Sequence, residues 1–167
     1  AALKELNKPE FKVLTVEDPV EYRLAGINQV QVNSKIELTF ARVLRSMLRQ
    51  DPDIILVGEM RDQETAKIGL RAAMTGHLVL STLHTNDAIS TALRLTDMGV
   101  EPFMVAASLR GILSQRLVRR ICESCAEPYE LPPAQMAIVR AEAGDKADSL
   151  KFKRGRGCSH CNGTGYQ

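Results

Sequence analysis

Two sets of residues in this 167-residue sequence combine types and spacings that can do chemistry. The first is a trio of polar clusters, each directly behind a short apolar run. Glu17-Asp18-Pro19-Val20-Glu21 follows Phe11–Val16, Gly58-Glu59-Met60-Arg61-Asp62 follows Ile54–Val57, and Ser81-Thr82-Leu83-His84-Thr85-Asn86 follows Leu78–Leu80. Acidic clusters at strand ends suit metal-assisted phosphoryl transfer. One carboxylate holds Mg²⁺ directly or through water, and another orients the attacking water. Taken alone, Glu59 to Asp62 reads equally well as a helix N-cap with a local ion pair. What favours a site is that three clusters occupy equivalent places.

Histidines and arginines surround these clusters. His77 and His84 bracket the third apolar run and would lie at its opposite ends, so they cannot easily share a metal. Either one alone could simply be satisfied by backbone hydrogen bonds. His84, on the polar side, is the better functional candidate, placed to sense a γ-phosphate. Arg42, Arg45 and Arg49 fall on one side of a helical pattern and would ordinarily be a solvated face. Arg49 stands out because it precedes Asp51-Pro52-Asp53 and the central run. Arg94, ten residues past His84, could reach a neighbouring subunit's nucleotide.

The second set is Cys122-Glu-Ser-Cys125 and Cys158-Ser-His-Cys161. Each CxxC lets two thiolates from one turn reach a single tetrahedral ion, and zinc is the expected metal. The intervening 32 residues exceed a common ribbon spacing, but a longer loop adds only modest closure entropy. Four buried free thiols are the alternative, made less apt by the pairing. A closed shell of four cysteines has no open position, so its expected role is structural.

The elements that must position these groups follow from periodicity. The three apolar runs are β-rich and nearly continuous, as in strands of a parallel sheet buried on both faces. Between them, Phe40, Val43, Leu44, Met47 and Leu48 mark an amphipathic helix. A second helix is expected from an Asp62 N-cap through Glu64–Met74 to a left-handed Gly76, and a third from Asp87 to Gly99. Alternating strands and helices specify a parallel α/β sheet with ligands beyond the carboxyl ends of its strands. Phe103–Ile121 is compatible with one long helix, and Ala134–Asp148 with another. Pro128, Pro132 and Pro133 change the texture, dividing the chain into a core of residues 1–118 and a cysteine-bearing unit of residues 119–167.

Composition excludes several classes. With 22 basic and 20 acidic side chains the net charge is only +2, so no global field marks a nucleic-acid or membrane binder. No run approaches the roughly 18 apolar residues needed to span a bilayer. The N-terminus lacks a signal-peptide layout, and paired cysteines in a reducing compartment favour metal over disulfides. Both ends read as cut: Leu3 and Leu6 begin an amphipathic helix in mid-pattern, and Gly163 to Gln167 stops without a capping element.

The run Leu48-Arg49-Gln50-Asp51-Pro52-Asp53-Ile54-Ile55-Leu56-Val57-Gly58-Glu59-Met60-Arg61-Asp62 resembles the signature of the secretion ATPases of type II secretion and type IV pilus assembly. Thr15–Glu21 resembles their aspartate box and Thr75–Thr85 their histidine box. The wording of Tyr22–Val32 and Phe40–Gln50 is most similar to assembly ATPases of the mannose-sensitive haemagglutinin type, with the general secretion ATPase second. The resemblance implies a RecA-like α/β core plus a small tetracysteine zinc-binding subdomain, and a hexameric, ATP- and Mg²⁺-dependent motor. It implies Glu59 as the Walker B acid, Glu21 as the water-activating carboxylate with Glu17 as fallback, Arg49 and Arg94 as phosphate-contacting or intersubunit arginines, and His77 and His84 as the histidine pair. It further implies a cytoplasmic location peripheral to a bacterial inner membrane, with platform and adaptor proteins as partners. The family's Gly-rich Lys-Ser/Thr loop would precede Ala1, so this span is expected to be inactive alone. The cysteines disfavour a retraction motor. A zinc-containing nucleic-acid-binding module, using Lys151, Lys153, Arg154 and Arg156, is the alternative. The chain's 4% aromatic content, with no stacking surface beside that run, speaks against it.

Overall fold

The computed structural model describes residues 2–167. The chain divides into two compact units, Ala1–Ser114 and Gln115–Gln167. In the first, four strands form one sheet in the order β2-β1-β3-β4: β1 is Val13–Glu17, β2 Asn28–Gln31, β3 Ile54–Val57 and β4 Leu78–Ser81. Every pairing is parallel, with Thr15 opposite Gln29, Thr15 opposite Leu56, and Leu56 opposite Leu80. All four strands therefore point their carboxyl ends the same way.

Strand periodicity then sorts the side chains. Leu14, Val16, Ile55 and Val57 face a core built with Val43, Leu44 and Met47 of α2 (Phe40–Leu48), Ala66 and Leu70 of α3 (Gln63–Met74), Leu95 of α4 (Ala88–Asp97), and Met104 and Val105 of α5 (Pro102–Ser108). Val13 and Ile54 face the opposite side, where Leu3 and Leu6 of the short α1 (Ala2–Leu6), Ile27, Leu24 and Leu80 cover them. That alternation is the period-two geometry of a strand.

The helices start and stop on local chemistry. Asp62 accepts from the Thr65 amide at 2.8 Å, Asp87 from the Ser90 amide at 2.7 Å, and Thr39 from the Arg42 amide at 3.3 Å, each satisfying an orphan donor of a first turn. α3 ends at Thr75, followed by Gly76 at φ +106, the left-handed stop expected of it.

Four expectations change. β2 carries no strand signal of its own, because Asn28-Gln-Val-Gln has only one large apolar residue. β1 begins at Val13 rather than Phe11, whose ring is exposed. β4 is not buried on both faces: it closes the strand order with a neighbour on one edge only, and Leu78 is 44% exposed. The stretch Phe103–Ile121 is not one helix. α5 stops at Ser108, Leu109 is extended, and Leu113, Leu117 and Val118 are exposed. A helix draws most of its stability from burying a face, and Gly111 costs about 1 kcal/mol of propensity besides.

The second unit holds β5 (Ala126–Pro128) paired antiparallel with β6 (Lys153–Gly155), and α6 (Pro133–Ala143). The helix ends at Ala143 rather than Asp148, and a 3₁₀ stretch, Gly144–Ser149, completes that segment. Among the described residues no helix is long and apolar enough to cross a membrane.

Ile55 is fully buried in the central strand. Ile55→Ala should cost about 2–5 kcal/mol in urea unfolding, whereas Asp62→Ala, which removes one cap, should cost about 1 kcal/mol.

Candidate functional site

The carboxyl ends of β1, β3 and β4 come together because their strands are in register. The Gly58 amide donates to Val16 O at 2.7 Å, the Met60 amide to Thr82 O at 3.1 Å, and Thr82 Oγ1 to Gly58 O at 2.7 Å. A Cβ on Gly58 would stand 3.1 Å from Val16 O and 3.2 Å from Glu17 Cα, so a side chain here would push the two exits apart by a few tenths of an ångström. Immediately after it, Glu59 is 9% exposed.

Glu59 is a buried carboxylate held between two bases. Its Oε1 is ion-paired with Arg61, and His84 Nε2 stands 3.4 Å from its Oε2. Arg61 also lies 3.9 Å from Asp18 Oδ2, joining the β3 exit to the β1 exit. The hydrogen bond from Arg61 holds the Glu59 carboxyl below its ordinary value, against burial that works to raise it. Glu59 Oε2 nevertheless receives no hydrogen bond of good geometry. A buried, ionised oxygen without a donor is what a hard divalent cation takes as a ligand, so these residues fit Mg²⁺.

Glu17, at the end of β1, has its Oε1 occupied: Thr15 Oγ1 donates to it at 2.5 Å and Gln29 Nε2 at 3.0 Å. Glu21, farther along the same loop, is exposed and makes no side-chain hydrogen bond or ion pair among the described residues.

In the second unit the four cysteine sulfurs lie within 4.8 Å of one another. The pairs Cys122–Cys158 and Cys125–Cys161 are 3.9 Å apart and Cys158–Cys161 3.7 Å, and no disulfide joins them. A tetrahedral ion with metal–sulfur bonds of about 2.3 Å requires edges near 3.8 Å, so the set fits zinc. Amides surround the sulfurs: Gly157 N donates to Cys125, and Cys158 N and Gly165 N to Cys161, at 3.2–3.3 Å. Burial pushes the Cys125 thiol up to about 11. Burial works the same way on Cys161, but the two amides together with hydrogen bonds from the Cys158 and Cys125 side chains outweigh it and bring that thiol down to about 6. Zinc, when bound by these four residues, would supply the charge that keeps the sulfurs as thiolates. The two knuckles approach through glycine. A Cβ on Gly155 would fall 1.9 Å from Gly165 O, and Gly165 itself has φ +78.

The family model described as type II/IV secretion system protein matches residues 1–167. The chain belongs to that family. It is 53% identical over 167 residues to the type II secretion system protein E of Pseudomonas aeruginosa, covering all of this chain and 33% of that protein. It is 54% identical over 166 residues to the type IV pilus assembly ATPase PilB of Thermus thermophilus, covering 99% of this chain and 18% of that protein. Among solved structures it resembles the pilus retraction motor PilT with bound ADP, at TM-score 0.66 and 42% identity over 72% of this chain and 38% of that one. It also resembles the Legionella pneumophila ATPase DotB, at TM-score 0.51 and 34% identity over 62% and 31% of the two chains. The chain thus spans a third or less of the length of these curated relatives.

In this secretion-family chain the foreseen residues separate into groups. Glu59, His84 and the Glu17–Asp18 segment meet. Arg49 and His77 do not join them. Arg49 follows α2 at the amino-terminal side of β3 and donates to Ser46 Oγ at 3.3 Å. His77 precedes β4, where its Nδ1 contacts Ala72 O at 3.0 Å and Thr75 Oγ1 at 3.2 Å. Arg94 is exposed in the last turn of α4. Of the basic run in the second unit, Arg154 is already engaged, ion-paired with Glu127 at 2.8 Å and lying over the Tyr129 ring.

Arg61 and Gln29 join the site through contacts that the sequence pattern does not mark. Arg61 stood in the quoted motif with only an ion-pair role, and Gln29 reaches Glu17 only through the β1–β2 register.

Because the folded-state pKa of Glu59 lies below its ordinary 4.5, its contribution to stability is present above that value and fades as pH falls through the folded pKa. The stability gap between wild type and Glu59→Gln, measured by urea unfolding, should therefore narrow as pH is lowered from 7 into the acid range. For the second unit, protein purified without added metal should contain about one zinc per chain, and Cys122→Ala should lose it, as read by elemental analysis.

Proposed function

We propose that this span is the acid-bearing part of an ATP-hydrolysing motor that drives type IV pilus assembly or type II secretion. The observation that carries this reading is Glu59: a buried, ionised carboxylate with one oxygen lacking a donor, at the carboxyl end of a central parallel strand. Ligands bind at that edge in open α/β sheets. Mg²⁺, when bound, neutralises charge on the nucleotide's phosphates. Glu59 is its protein ligand, directly or through water. Arg61 holds the carboxylate ionised and oriented, and His84 is placed to sense the terminal phosphate. Glu21, free of internal partners, takes the proton of the attacking water, and Glu17 anchors the segment from which Glu21 projects. Arg94, and Arg49 at the amino-terminal side of the sheet, are assigned to contacts with a nucleotide held by a neighbouring subunit of a homo-hexamer. The tetracysteine zinc unit is structural. The working partners are inner-membrane platform and cytoplasmic adaptor proteins, at the cytoplasmic face of the inner membrane, with no nucleic acid involved.

A protein carrying this span together with a Gly-rich Lys-Ser/Thr loop should hydrolyse ATP only with Mg²⁺. Glu59→Gln and Glu21→Gln should each lower kcat by at least about 100-fold, and wild-type rates in both variants would overturn the assignment. The span itself, which holds no such loop, should turn over ATP negligibly.

A further inference from the structure

The carboxamide of Gln29 uses both of its donors and its oxygen on one loop. Its Nε2 donates to Glu17 Oε1 and to Tyr22 O, both at 3.0 Å, and its Oε1 accepts from the Leu24 amide at 2.7 Å. The opposite orientation of the amide would set oxygen against two acceptors and nitrogen against a donor, so the orientation is fixed by its partners. No other residue type of this size matches the pattern. Glutamate would present a charged acceptor to Glu17 and Tyr22 O, and an apolar side chain would satisfy none of the three groups. The contact is set by tertiary structure: Gln29 lies opposite Thr15 in the parallel β1–β2 register, and Thr15, fully buried, donates to the same Glu17 oxygen. Two residues farther along β2, Gln31 Oε1 accepts from the Val20 amide at 3.3 Å. The segment from Glu17 to Leu24 is thus fastened at Glu17, Val20, Tyr22 and Leu24, and Glu21 lies between the second and third of these points with its own side chain unengaged.

We propose that Gln29 is a positioning residue for the hydrolytic carboxylates: it fixes Glu17 and sets the backbone that presents Glu21, without touching nucleotide or water itself. This rests on the assignment of Glu21 as the water-activating group. Holding a reacting group within a fraction of an ångström governs kcat more than substrate affinity, because the ground-state complex does not need the alignment that the transition state does.

The test pairs two measurements on Gln29→Ala and Gln29→Glu, with melting temperatures taken first. In a protein carrying this span with its phosphate-binding loop, both variants should lower kcat for ATP by about tenfold or more and change KM for Mg-ATP by less than about twofold. In this chain itself, trypsin cleavage after the exposed Arg23 should speed up by a similar factor while cleavage elsewhere keeps its wild-type rate. Unchanged kcat in either well-folded variant, alongside a Glu21→Gln variant that has lost turnover, would overturn the positioning role and leave the Glu21 assignment standing. Full turnover in Glu21→Gln would instead overturn the assignment on which the proposal rests. Unchanged cleavage at Arg23 in both variants would overturn the fastening of the loop whatever the kinetics.

Discussion

The parallel pairing of β1 with β3 is the constraint on which the rest of the first unit depends. It sets Val16 beside Val57, and at the next step Gly58 lies so close to the β1 backbone that a Cβ would be crowded against it. The two strands then release their polar segments side by side. Every contact of the candidate site is downstream of that pairing: Arg61 reaching Asp18, the Glu59 carboxylate turned toward His84, and the β4 exit tied back through Thr82 to the β3 exit. The connections from β2 to β3 and from β3 to β4 run through the helices α2 and α3, and these supply apolar faces that bury Leu14, Val16, Ile55 and Val57. Site and core are consequences of one register.

The electrostatics of the site follow from the same geometry. An isolated carboxylate buried as deeply as Glu59 would be driven toward its neutral form. The guanidinium two residues on reverses that tendency by engaging one oxygen, and leaves the other without a donor. One oxygen held by a guanidinium and the other open to a further ligand is what separates a candidate binding position from an ion pair that engages both oxygens.

The second unit solves a different problem. Its helix α6 buries no residue, and apart from Ala147 its buried side chains are the cysteines Cys122, Cys125 and Cys161. So small a unit draws little stability from apolar burial, and a set of four sulfurs that fits a metal ion stands where a core would. The amides of Gly157, Cys158 and Gly165 aimed at sulfur are the hydrogen bonds that thiolates, rather than thiols, reward.

The sequence by itself determined what is local. Short apolar runs placed β1, β3 and β4, the caps Asp62 and Asp87 bounded their helices, and the two CxxC pairs marked a set of sulfurs that fits a metal ion. Each of these depends on residues only a few positions apart, where spacing and structure are nearly the same thing. What the tertiary structure decided were relations across distance. It placed β2 by register rather than by apolar content, and sent Arg49 and His77 to the amino-terminal side of the sheet. It ended α5 where burial ended, and brought Gln29 onto a carboxylate twelve positions earlier. Such contacts arise only when strands far apart in sequence pair, and a linear pattern carries no record of which strand lies beside which.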